Sequence, residues 1–149
     1  MLRLIAFLLY LQMKNIPVTE ALQVEIVLDQ PLMIKNVGPN VLATTLLITM
    51  PPGDSGLYAH THPGPAVGYV FTGDLLFQVN DELPKILPAG STFYVNDSER
   101  HVWDANASNT TTCIVIATIF GRPNEEITTF LTNFKRESRN DALARAKGL

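Results

Sequence analysis

Only three histidines occur in the 149 residues, and two of them form His60-Thr61-His62. On an extended strand, residues two apart point to the same side, so both imidazoles would face one way and could share a metal ion. A third ligand must come from elsewhere in the chain. His101 is the only imidazole left, and a fold that set its strand beside the first would complete a three-nitrogen site for a divalent transition metal. The single cysteine, Cys113, lies in the apolar run 112–117 and reads as a buried, inert thiol. No acid or base stands out, since neither Asp54 nor Asp104 has a clear place, and no catalytic residue is assigned.

The elements that must position these side chains read as β. Leu22, Val24, Ile26 and Leu28 alternate with Gln23 and Glu25, the pattern of a half-buried strand. A longer run, Val41 to Met50, stops at Pro51-Pro52-Gly53-Asp54, a cluster that cannot continue a ladder. Strands follow at Leu57 to His62, Ala66 to Phe71, Leu75 to Val79, Thr92 to Val95, His101 to Trp103 and Thr111 to Phe120, with turns at Thr72-Gly73-Asp74 and Asn80-Asp81-Glu82. Short strands at this density predict an all-β barrel or sandwich over residues 22–121. After Gly121-Arg122-Pro123 the character changes. Pro123 suits the first turn of a helix, Glu125 and Glu126 suit its positive end, and Ile127, Phe130, Leu131 and Phe134 fall on one helical face. Residues 122–149 therefore read as a C-terminal helical segment.

A chain of this length, with 46% hydrophobic and 17% charged residues, can bury one core without cross-links. The net charge of −3 gives no basic face for a nucleic acid. Five basic residues gather in the tail, at Lys135, Arg136, Arg139, Arg145 and Lys147, but Glu137 and Asp141 interrupt them, and they read as a solvated helix face. Residues 1–21 form a separate apolar segment. Its stretch from Leu4 to Leu11 is too short to span a bilayer. It is similar to a secretory signal, with Thr19 and Ala21 as small residues near a cleavage point, and Asn96, Asn106 and Asn109 begin formal glycosylation tripeptides. The competing reading keeps the segment as packing or dimer surface in a cytoplasmic protein, and that reading is favoured over secretion.

The spacing of the histidines resembles the cupin family over roughly residues 40–120. The first family motif runs His, one residue, His, three or four residues, Glu, six residues, Gly, and here those places hold His60, His62, Ala66 and Gly73. The second runs Gly, five residues, Pro, one residue, Gly, two residues, His, three residues, Asn, and here holds Gly90, Asn96, Ser98, His101 and Ala105. All three histidines occupy ligand places, while the motif Glu is replaced by Ala66. The resemblance implies a jelly-roll-like cupin β-barrel with a metal held by His60, His62 and His101. Neighbours at period two then nominate Tyr58, Ala66, Gly68, Val70 and Trp103 as pocket lining.

Losing the carboxylate leaves the ion's charge uncompensated, which should favour an anionic, chelating small-molecule substrate such as an enolate, a phenolate or a carboxylate. The resemblance extends to small fungal cupin-domain oxidoreductases of polyketide pathways, which implies a metal-dependent oxidoreductase or dioxygenase with Fe(II). A lyase or isomerase using Zn(II) or Mn(II), and a binding module without turnover, are the alternatives. The family also implies a homodimer, with the N-terminal apolar strip and the Ile127 to Phe134 face as candidate surfaces.

Overall fold

The computed structural model describes residues 21–34 and 38–149, and the expectations placed on residues 1–20 lie outside it. Among the described residues, ten strands make two five-stranded antiparallel sheets. The first has the order β1 (Gln23–Ile34), β2 (Gly38–Met50), β9 (Cys113–Gly121), β4 (Ala66–Thr72), β7 (Thr92–Val95). The second has the order β10 (Thr129–Phe130), β3 (His60–Thr61), β8 (His101–Asn106), β5 (Asp74–Val79), β6 (Lys85–Pro88). One helix, α1 (Arg139–Ala146), follows. Among the described residues no helix is long and apolar enough to cross a membrane.

Period-two alternation builds the space between the sheets. Along β9, Cys113, Val115, Ala117 and Ile119 are buried while Ile116 is 37% exposed, so one face of the strand is core and the other is surface. Leu46 and Met50 of β2, Val70 of β4, Leu75, Phe77 and Val79 of β5 and Val95 of β7 complete this inner core. A second apolar cluster lies on the outer side of the second sheet. There Leu76, Val102, Trp103 and Ala105 meet Ala142 and Leu143 of α1. Ser138 caps the helix by accepting a hydrogen bond from the Asp141 backbone N–H.

Three expectations about elements need correction. β1 is an edge strand exposed on both faces, with Val24, Ile26, Val27 and Leu28 each 47–59% exposed. Among the described residues its only neighbour is β2, and a register shift between Ile26 and Leu28 breaks its alternation. The helix expected from Pro123 does not form. Thr129 and Phe130 instead pair with Thr61 and His60, a tertiary pairing that outweighs the helical spacing, and the only C-terminal helix starts at Arg139. The tail's basic residues are not all a solvated face. Arg136 donates to the carbonyls of Ser55, Leu57 and Val102, and Arg139 to those of Asn106 and Ser108.

Candidate metal centre

The barrel brings the three histidines together. His60 pairs directly with His101 across β3 and β8, and His62 lies two residues further on. Ring centroids are 4.8 Å apart for His60 and His62, 5.0 Å for His60 and His101, and 6.2 Å for His62 and His101. One ring nitrogen from each lies within 4.8 Å of the other two. An ion bound at about 2.1 Å from each nitrogen keeps any two of them within about 4.2 Å. Side-chain adjustment of less than about an ångström closes that difference.

Hydrogen bonding prepares two of the rings. His60 Nδ1 lies 2.8 Å from the Tyr58 carbonyl oxygen and His62 Nδ1 lies 2.7 Å from that of Ile127. A carbonyl only accepts, so both Nδ1 atoms carry the proton and each Nε2 keeps its lone pair, the second-sphere arrangement of metal-bound imidazoles. His101 differs. It is 5% exposed and neither of its ring nitrogens has a hydrogen-bond partner. Orphaned buried polar atoms cost free energy, and a bound cation would supply a partner for one of the two nitrogens.

Electrostatics agree with ligand duty. Burial lowers the His60 pKa from 6.5 to about 4. Burial lowers His62 as well, and His101 is pushed well down by burial and then by its two histidine neighbours. All three are neutral near pH 7, the form that binds metal. The residues present therefore fit a divalent transition metal.

The cavity beside the rings has a volume of about 40 Å³ and mostly aliphatic walls, among them Leu46, Met50, Leu57 and Leu75. Ala66 lines it. Gly68 and Val70 share the inward side of β4 but do not reach the cavity. The Phe93 ring covers Gly68 so closely that a Cβ there would stand 2.0 Å from it, and Val70 is fully buried in the core below. Phe93 thereby becomes a lining residue that the sequence reading missed, although its pairing partner is that glycine.

Tyr58 and Trp103 are corrections. Tyr58 precedes β3 and is 78% exposed, because period two holds only within a strand and Tyr58 lies outside it. Trp103 is 1% exposed but belongs to the outer cluster under α1. The cause is a register shift in β8: His101 pairs with Val79 and Trp103 with Gln78, leaving Val102 as an extra residue. This bulge reverses the alternation. Asp104, opposite Phe77, turns inward in place of Trp103 and lines the cavity. The same shift puts Asn106 on the inner side, one place past the motif position at Ala105. There its amide donates to the carbonyls of Met50, Pro51 and Thr111.

Asp104 is the functional candidate left without a place by sequence alone. Burial raises its pKa from 3.8 to about 8, against the pull of the Arg136 charge. Thr128, from the C-terminal segment, also lines the cavity.

With this geometry the family follows. Residues 46–119 match the family described as the cupin domain, and the chain belongs to the cupins. None of the curated proteins matches it in sequence. Among solved structures it is similar to a cupin-like protein from Thermotoga maritima, with 18% identity over 81% of this chain and 84% of that one and a TM-score of 0.60. It is similar to the DMSP lyase DddQ from Ruegeria pomeroyi, with 13% identity, 84% and 60% coverage and a TM-score of 0.56. An RmlC-like cupin with a double-stranded β-helix fold from Methanocaldococcus jannaschii matches with 14% identity, 74% and 89% coverage and a TM-score of 0.53. At these identities the likeness is one of fold.

Proposed function

We propose that the chain is a metal-dependent oxidoreductase of the dioxygenase kind, using Fe(II) on a small chelating organic anion. The observation that carries this reading is the convergence of three buried, neutral imidazoles with no carboxylate among them. Bound there, the ion would supply Lewis-acid chemistry and, as iron, redox chemistry. His60 and His62 are oriented for it by the Tyr58 and Ile127 carbonyls. Ala66 leaves the usual carboxylate place empty, so charge balance falls to the substrate. The aliphatic walls exclude water from the reacting atoms.

A second reading is favoured by Asp104. A carboxyl on the cavity wall offers a proton carrier, as a lyase or isomerase with Zn(II) or Mn(II) would require. Anaerobic reconstitution separates the two. Oxygen uptake with Fe(II) and none with Zn(II), over a panel of small diketones, thiols and hydroxy acids, supports the oxidoreductase; Zn(II)-supported turnover without oxygen overturns it. A homodimer belongs to the same proposal, because β1 exposes Val24, Ile26, Val27 and Leu28 along an edge that a second copy would cover. Sedimentation at a monomer's mass would contradict it.

A further inference from the structure

Apart from the three imidazoles and Thr128, Asp104 is the one polar side chain lining the cavity. The grouping of possible ligand atoms comprises the histidines and leaves Asp104 outside. It is a wall group beside the metal position.

Its place is fixed from several sides. The bulge at Val102 turns it inward. Gly56 (φ +65°) lies directly against it, where a Cβ would stand 2.2 Å from the Asp104 carbonyl oxygen and 2.9 Å from Oδ1, so only glycine fits. Arg136 ties the carbonyls of Ser55 and Leu57, on either side of that glycine, to the Val102 carbonyl of β8. A carboxyl held this way is preorganised for recognition.

We propose that Asp104 is the specificity-determining residue of the cavity, hydrogen-bonding an O–H or N–H group on a small anion whose other end binds the metal. The proposal rests on the metal-site reading above and holds for either reaction type. A cavity of about 40 Å³ has room for about three waters, so the donor group must lie within a few bonds of the metal-binding atoms. An α-hydroxy or α-amino acid has that form. A ligand lacking the donor would desolvate the carboxyl without replacing its hydrogen bond, and buried polar groups left unpaired are strong discriminators. Burial, by holding the carboxyl in its uncharged form, also removes repulsion toward an anion.

The test uses Co(II)-loaded protein, whose visible spectrum reports ligand binding, with lactate and propionate as probes differing by one hydroxyl. The wild type should prefer lactate, and Asp104→Asn, which keeps an acceptor oxygen, should retain most of that preference. Asp104→Leu should lower the lactate-to-propionate ratio about tenfold, the upper end for one hydrogen bond between uncharged groups, with Co(II) content and propionate affinity unchanged. An unchanged ratio in Asp104→Leu, equal loss of both probes, or no lactate preference in the wild type would overturn the proposal. Failure of the wild type to take up Co(II) would instead overturn the metal-site reading, and this inference with it.

Discussion

The two sides of strand β8 are built for opposite ends. Its inner side presents His101, Asp104 and Asn106 to the barrel, and its outer side presents Val102, Trp103 and Ala105 to α1. On the outer side the polar groups serve packing: the Arg136 guanidinium lies 3.8 Å over the Trp103 ring while donating to three carbonyls. Trp103 Nε1 lacks a partner there, as do Oε1 of Gln78, the residue opposite it on β5, and Nε of Arg100. On the inner side both His101 nitrogens are orphaned, and burial disfavours the charged form of the Asp104 carboxyl. One strand thus carries stability on one face and stored electrostatic cost on the other, and the extra residue at Val102 makes the division possible. Such cost at a site is the expected sign of function.

The outer face depends most on Trp103. Trp103→Ala should destabilise the protein by about 3–5 kcal/mol, as large core truncations do, in urea unfolding, while the folded fraction still binds metal. His101→Leu should do the reverse. It should raise metal-free stability by about 1–3 kcal/mol by removing two unpaired buried nitrogens, while metal affinity falls by roughly 100-fold or more, beyond the loss expected for a mere second-sphere change. Loss of stability in His101→Leu would contradict the stored-cost account. Arg136→Met keeps an apolar stem on Trp103 but loses the carbonyl bonds. Stability should fall by about 1–2 kcal/mol, with a several-fold loss of metal affinity measured by competition with a chelator, because the loop it anchors carries the Tyr58 carbonyl that orients His60.

The smallest effect sharpens the inner side further and is read from metal-free stability against pH. The lowered His60 pKa means that the unfolded chain binds more protons between about pH 6.5 and 4, so this histidine's contribution is present above that window and lost as pH falls through it. Asp104 has the opposite sign. Raised from 3.8 to about 8, its contribution is complete below pH 3.8 and lost as pH rises toward 8. Above pH 6.5 the histidine contribution is already complete. A decline in the urea midpoint between pH 6.5 and 8 should therefore appear in the wild type and flatten in Asp104→Asn.

Much of this was legible in the sequence. The His60-Thr61-His62 pair and the strand at Thr111 to Phe120 follow from residue types and spacing, and the place of His101 from the family resemblance. Period-two reasoning failed where its premise failed. Tyr58 lies outside a strand, and Trp103 lies beyond a bulge that no residue type announces, since Val102 is an ordinary strand residue. Asp104 was hidden by the same bulge. The segment from Pro123 misled because Ile127, Leu131 and Phe134 keep helical spacing, yet the Thr129–Phe130 pairing with β3 and the Ile127 carbonyl's bond to His62 are tertiary interactions. The capped helix at Arg139 and the clamps made by Arg136 and Arg139 also depend on partners far away in the chain.

Metal stoichiometry decides whether the three histidines hold one ion. Protein dialysed against a chelator and titrated with Fe(II) under anaerobic conditions, or with Co(II) in air, should bind one ion per chain, and His101→Leu should bind none at the same concentrations. Absence of stoichiometric uptake by the folded wild type, or equal uptake by His101→Leu, would contradict it.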